Sequence, residues 1–424
     1  MPYPVKNFRS DDTGLNKITA TLGSLVGILD ACLVTGFNLR TLDALTYDSA
    51  TDLFAGTVNS GHGYRLNQIV LVSGASPSQF NCEIWITAIT ATTFTGKAHV
   101  SDARPANAAA SGSMTVKAAP QGSWSKPYAS AEGTKAVFRM EAPESSKCCL
   151  RIDNSIACSA SLGMYCLVDG YEQVGGLDVG VNPFGYFAER NNVWSIRSRT
   201  SYRDTPWMLF ADSAAFYLNM KVIQSGSDTL DPISDIASRA YWRAYFFGDA
   251  LKRTPGDVYS CLLASSASPL SSFISSYDNG LLGGNSYLFN SANPTGGGLS
   301  FARNAYGAVG KNQPYSTNQA WQGLNYSGRG PLTYPSPVDN ALIVIPNGIH
   351  LMDSQSAIRG NLPGYWSSPQ ALADVLGPAV IYENFPGAEL RKFISMYAQY
   401  YVGSTPADPN YCTTGFIDLT GPWR

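Results

Sequence analysis

At 424 residues the chain exceeds what one hydrophobic core usually organises, so two to four domains are expected. Apolar residues make up 44% and charged residues only 14%, well under the roughly 25% of an ordinary soluble domain, which predicts surfaces covered by partners. A formal net charge of -2 supplies no long-range field to gather polyanions, and this excludes nucleic acid as the main ligand.

The first predicted element is a short amphipathic helix over 22–34, where Leu22, Leu25, Val26, Leu29, Cys32 and Leu33 recur at three- and four-residue steps. Thr21 is its start signal and Thr35-Gly36 its stop. Residues 1–38 therefore form an N-terminal arm and helix, which either packs on the body or docks on another subunit. Met1–Asn16 carries no apolar leader core, and no apolar run reaches about 18 residues, so synthesis in the cytoplasm without membrane insertion is expected.

Residues 39–118 change to short alternating segments, among them Leu66–Val72, Cys82–Ile89 and Thr92–Thr95, separated by Gly, Ser, Asn and Pro. Strands of this length predict a small β-barrel module. The Ala-rich stretch Ala103–Gly112 has Pro105 and no apolar period, and reads as an exposed loop in or beside the barrel.

Residues 119–268 are the most strand-like part. Ala136–Met140, Cys149–Ile152, Tyr165–Val168, Trp207–Ala211, Ala214–Leu218, Tyr241–Phe247 and Tyr259–Leu263 predict an antiparallel β-sandwich, with Asp212-Ser213 as a hairpin turn. Residues 269–424 predict a Gly-rich extension, its order dependent on neighbours as far as Tyr334, and then a C-terminal β region. Strands are expected at Ala341–Ile345 and Ala379–Tyr382, and a helix at Ala388–Tyr397, where Leu390, Phe393, Ile394 and Tyr397 share a helical face. Phe416–Arg424 is too apolar to be a free tail. The fold class is thus mainly β.

Little in the text points to chemistry. The eight cysteines lack C-x-x-C spacing and read as buried free thiols, with Cys148 and Cys149 acting as small apolar residues. Of the three histidines, His62 lies between two glycines and has a backbone role, and no metal site or cofactor is implied. Asp169, Glu172, Asp249 and Asp257 read as solvated turn carboxylates rather than a glycosidase pair. The chain is therefore read as a non-enzyme. Trp194, Tyr202, Trp207, Tyr241, Trp242 and Tyr245 cluster in one region, as core, subunit interface or glycan platform. The interface candidates are Leu22, Leu25, Leu29, Trp194, Tyr202, Trp242, Tyr245 and Trp423.

Two resemblances add to this. Ser60-Gly61-His62-Gly63-Tyr64 leading into the strand to Val70, then Ser73-Gly74-Ala75 and Thr92-Thr93-Phe94-Thr95, resembles the β-barrel insert of many phage virion proteins and of ubiquitin-activating enzymes. The openings Pro4–Ser10 and Thr21–Phe37 resemble those of a family of virion structural proteins from tailed phages. So do Gly122–Lys126, Leu150–Asp153, Gly170–Glu172, Trp207–Phe216, Phe246–Asp249, Ile358–Gly364 and the closing Trp423-Arg424. That resemblance implies residence in a virion, at the tail, neck or capsid surface, with copies of the chain and other virion proteins as partners. It supplies no catalytic residues. A receptor- or carbohydrate-binding tail module, with a host surface glycan as partner, is the alternative.

Overall fold

The computed structural model describes residues 5–106, 108–155, 164–171, 193–197, 204–221, 242–252, 260–264, 283–290, 293–298, 300–303, 345–346, 349–352, 358–367, 381–385, 388–399 and 412–424. The chain is mainly β, with one short helical element near its start and antiparallel pairing throughout the described sheets. No helix among the described residues is long and apolar enough to cross a membrane.

The helical element is shorter and more complex than the apolar period predicts. An α-helix spans Ser24–Leu29 and continues as a π-helix over Asp30–Thr35. Thr21 does not start it. Gly23 does, at φ 80, where an added Cβ would meet the Gly133 carbonyl at 2.6 Å. The Leu25 N–H is received by the side chain of Asn154, over a hundred residues away, and that cap is invisible to local sequence patterning. The stop falls as expected, with Gly36 at φ 75.

The small barrel appears as a seven-stranded sheet curled into a half-barrel. Its order is Phe37–Thr41, Thr115–Ala118, Ile69–Ser73, Glu83–Ile89, Thr93–Ala98, Leu53–Thr57 and Ala44–Asp48. The two edge strands are consecutive in sequence. At the corner between them the Leu42 N–H donates to Met114 on one side and the Asp43 N–H to Thr57 on the other, so one run of chain joins both edges. Burial alternates along Ala44–Asp48 and Leu53–Thr57 as a period of two requires, and Phe54, Phe80, Phe94, Val70 and Val116 fill the inside. Gly56 faces Phe94 across the ladder, and a Cβ there would lie 2.3 Å from the ring. Gly56→Ala is therefore expected to cost about 2 kcal/mol by overpacking, read as a lower denaturation midpoint; an unchanged midpoint would show that the barrel core has slack.

The Ala103–Gly112 stretch is not a free loop. The Tyr47 N–H donates to Ala108, the Ala110 N–H donates to Leu45, and Ser76 and Ser111 exchange backbone bonds, so the stretch lies along the strand Ala44–Asp48 and covers its edge. Arg104 pins it through Asp52 at 2.6 Å.

The body contains the expected sandwich. One sheet runs Trp124–Ala129, Lys135–Met140, Cys149–Asp153, Met164–Tyr171 and Val193–Arg197. The other runs Lys6–Arg9, Trp207–Ala211, Ala215–Lys221, Trp242–Asp249, Ser260–Ala264, Gly283–Asn290 and Asn293–Gly298. The second sheet crosses the expected segment boundaries, because it takes an edge strand from the N-terminal arm and two strands from the Gly-rich part. Trp124 of the first sheet meets Phe216 and Phe247 of the second at 5.7 and 6.2 Å. Asp212 closes the hairpin as expected, with its N–H bonded to Ala215 and its carboxylate to the Ala214 N–H.

Every residue of Trp207–Ala211 and Ala215–Lys221 is buried, so both faces of this sheet are covered. Phe216, Leu218 and Met220 point to the sandwich core. Tyr217, on the opposite face, meets Tyr365 at 6.3 Å and donates its hydroxyl to the Pro363 carbonyl. That cover comes from a third sheet of Ile345–Pro346, Tyr365–Ser367, Cys412–Asp418, Ala388–Gln399 and Ile381–Phe385. A further four-stranded sheet joins Leu251–Lys252, Ile358–Asn361, Ile349–Met352 and Ser300–Arg303.

The helix expected at Ala388–Tyr397 is a strand, Ala388–Gln399. It pairs with Cys412–Asp418 over seven consecutive positions, and the adjacent Phe393 and Ile394 are both buried, at 0% and 2% exposure. A strand covered on both faces can bury neighbours in sequence, and here the apolar spacing imitates a helical stripe. Of the strand expected at Ala341–Ile345 only Ile345 falls within the described residues, where it opens Ile345–Pro346; the one expected at Ala379–Tyr382 appears as Ile381–Phe385.

Candidate interaction surface

The N-terminal arm lies between the half-barrel and the body and is tied to both. Its strand Lys6–Arg9 pairs with Trp207–Ala211. Lys6 is 1% exposed, and its Nζ reaches Glu83 Oε1 of the barrel at 2.5 Å and bonds the Pro120 carbonyl. Burial lowers the Lys6 ammonium from its usual range, against the pull of Glu83. Arg65 of the barrel holds Asp12 at 2.5 Å and the Asn7 side chain at 2.6 Å. An open cleft of about 620 Å³ lies beside this junction, lined by Leu71, Cys82, Glu83, Asp102 and Pro120.

This use of charge extends across the molecule. Lys126 pairs with Asp30, Lys135 with Asp153, Arg139 with Glu141, Lys392 with Glu383, Arg391 with Asp418 and Arg424 with Asp212. In a chain with few charges to begin with, the pairs of Asp153, Asp418 and Asp212 draw a carboxylate inside, while Arg139 with Glu141 and Lys392 with Glu383 stay at the surface. Asp153 shows the energetic consequence. Its burial would raise the carboxyl, but the Ser155 hydrogen bond and Lys135 outweigh that and hold it below the ordinary value. A depressed folded value means stability that is full above the unfolded pKa of about 3.9 and is lost as pH falls through the folded one. Asp153→Asn should therefore destabilise at pH 6, with the gap from wild type closing below about pH 3; a gap constant from pH 6 to pH 3 in denaturant titrations would contradict it.

The sequence candidates divide sharply. Leu25, Leu29 and Tyr245 are fully buried and Trp423 is 5% exposed, so these four hold the chain's own core and offer no outer surface. The apolar stripe of the helix found its partner inside the same chain. Leu22 is the exposed one, at 39%. The side chains of Trp194 and Trp242, and the whole of Tyr202, lie outside the described residues. Trp207 is also fully buried, which makes the described members of the aromatic cluster core rather than glycan platforms.

Apart from Leu22, the exposed large apolar side chains among the described residues are ones the sequence reading did not single out as surface. Leu390 is 93% exposed, Val100 89%, Leu39 65%, Leu66 48% and Ile89 41%. Leu390 sits two residues before Lys392 on one strand, and Lys392 Nζ lies 5.2 Å over the Trp85 ring of the half-barrel and 3.4 Å from Asn67, next to Leu66. No periodicity could have joined these residues, since they meet only through the docking of the third sheet on the barrel.

His62, the described cysteines and Asp249 occupy positions within the packed fold. His62 Nδ1 accepts the Tyr64 N–H at 2.8 Å and its Nε2 donates to the Thr93 carbonyl at 3.1 Å, the backbone role its glycine flanks predict. Cys32, Cys82, Cys148 and Cys149 stand outside any disulfide; burial pushes Cys82 up to about 12 and Cys32 well above its normal value, which disfavours their thiolates. Asp249 corrects the reading of a solvated turn carboxylate. It is 2% exposed and accepts bonds from the Ser146 N–H and hydroxyl. No family model matches the chain, and no curated protein matches it either.

Proposed function

We propose that this chain is a structural subunit of a tailed-phage particle, acting through contacts with copies of itself and other virion proteins at the tail, neck or capsid surface. The observation that carries the reading is the inward turn of scarce charge. Only 14% of residues are charged, and among the described residues ion pairs bury the side chains of Lys6, Asp12, Asp153, Asp212 and Asp418, which lowers the charge available to keep copies apart. Exposed Leu390, Val100 and Leu39 add apolar area to the exterior. The sequence resemblance to virion structural proteins points the same way, and the antiparallel body supplies rigid blocks on which such surfaces are held.

Tryptic mass spectrometry of purified phage particles tests the reading, together with light scattering of the isolated chain. We expect peptides of this protein in the particles and oligomers in solution. A protein missing from particles and monomeric at about 100 µM, where even weak specific contacts populate, overturns it.

A further inference from the structure

The turn of residues 60–64 is built around one ring. His62 is 2% exposed, stacked on Tyr64 with centroids 5.3 Å apart and edge-on to Phe94 at 6.1 Å. Gly61 and Gly63 flank it at φ 83 and 65, which lets the backbone wrap the imidazole closely. Both ring nitrogens are engaged, and the partners fix their roles. The Tyr64 N–H can only donate, so Nδ1 accepts at 2.8 Å, and Nε2 carries the single ring proton toward the Thr93 carbonyl at 3.1 Å. A second proton has one place to go, Nδ1, and there it meets another donor. The turn is also a joint. The Tyr64 hydroxyl lies 3.0 Å from the Asn38 carbonyl and 2.9 Å from that of Val116, while Asn38 returns a bond to the His62 carbonyl at 2.7 Å. A Cβ on Gly63 would lie 2.7 Å from Thr13 Oγ1 of the N-terminal arm, and Arg65 holds Asp12 and Asn7 of that arm.

We propose that His62 is a proton-operated lock on this joint: the neutral ring holds the turn closed, and a proton on Nδ1 breaks the Tyr64 bond and loosens it. The proposal is independent of the assembly reading. The surroundings offer the imidazolium no anion. Among the described residues no carboxylate bonds either ring nitrogen, and the rings of Tyr64 and Phe94 pack against the imidazole. From the strand Phe37–Thr41 the charged group is Arg40, bonded to Asn38 at 2.9 Å and within electrostatic reach of Tyr64. The strand Thr93–Ala98 carries Lys97, and Thr115–Ala118 carries Lys117, whose Nζ turns to the Thr35 carbonyl. Beside the turn, Arg65 and Asp12 satisfy each other, and Asp43 accepts the Asn59 N–H. The closed turn thus has no room for the second proton, whereas an open turn takes it up in water. Falling pH therefore favours the open form.

Hydrogen exchange of the full chain tests it, followed by mass spectrometry on peptides spanning residues 60–68 and corrected for the intrinsic rate at each pH. An open turn exposes a histidine of ordinary value, about 6.5, so the open population should rise about tenfold between about pH 7.5 and pH 5.5. Protection of the Tyr64 amide should fall by that factor, while the buried strand Trp207–Ala211 keeps its protection. His62→Asn retains an acceptor two residues before the Tyr64 N–H and has no proton to gain, so its turn should exchange at one corrected rate across the interval. His99→Gln, which removes a histidine outside the turn, should follow wild type. A turn whose protection falls no more than that of Trp207–Ala211, or a fall of the same size in His62→Asn, overturns the proposal. Should His62→Asn fail to fold, the comparison of the two segments within wild type, repeated in His99→Gln, decides it.

Discussion

Arg424→Ala should lower the unfolding free energy by about 3 kcal/mol, one of the two largest effects expected of a single substitution in this chain. The argument lies in what is left behind. Asp212 is 3% exposed at its side chain and Arg424 18%, so removing the guanidinium strands a buried carboxylate. The nearest compensation is the Ala214 N–H at 2.9 Å, which serves the other oxygen. Arg424→Ala/Asp212→Asn should recover most of the loss, because asparagine keeps the hairpin bond and brings no charge to desolvate. Urea titrations of the four proteins check it. If the double variant is no more stable than Arg424→Ala, charge stranding is not the cause and the contribution of Arg424 is packing alone.

Lys6→Met is the second large effect, also about 3 kcal/mol. Lys6 ties the arm strand to the half-barrel through Glu83, whose side chain is 11% exposed, and through the Pro120 carbonyl. Breaking one side leaves Glu83 and that carbonyl without their cation, whereas Lys6→Met/Glu83→Met replaces the pair by apolar volume and should restore much of the stability. The pH dependence has a definite sign. Burial lowers the Lys6 pKa in the folded chain, so on raising the pH the folded state gives up its proton before the unfolded state does. Between the folded value and the ordinary lysine value of 10.5 the unfolded chain binds more protons, and stability rises with pH across that window. Wild type should therefore gain on Lys6→Met as the buffer moves from neutral to about pH 10. A gap that narrows over that range would mean that the ammonium is stabilised, not strained, by its site.

These two pairs share a feature that the sequence reading could not reach. Lys6 and Glu83 are 77 positions apart and Asp212 and Arg424 are 212 apart. Local patterning located the strand that carries Glu83 and the turn that carries Asp212, because apolar alternation and turn chemistry report backbone preference wherever they sit, but it gave no sign of the arm strand that carries Lys6. It could not say which charges would be drawn inside, since that depends on which strands lie opposite. The same reason explains Asp249, read from its sequence as a turn carboxylate and found holding Ser146 in the interior.

What the sequence determined by itself was the class: antiparallel β, a short helix ending at Gly36, a small curled module before residue 118, a sandwich hairpin at Asp212, and a terminal stretch that would not hang free. Those properties follow from residue-level preferences and turn chemistry, which act over a few neighbours. Tertiary structure alone decided that Ala388–Gln399 is a strand, that Leu25, Leu29, Tyr245 and Trp423 face inward, and that Leu390 faces outward. Apolar spacing states only that a residue is to be buried. Whether its cover comes from the same chain or from a partner is settled by the sheets that dock on it, and here the chain supplies that cover for the helix and for both faces of the central strands.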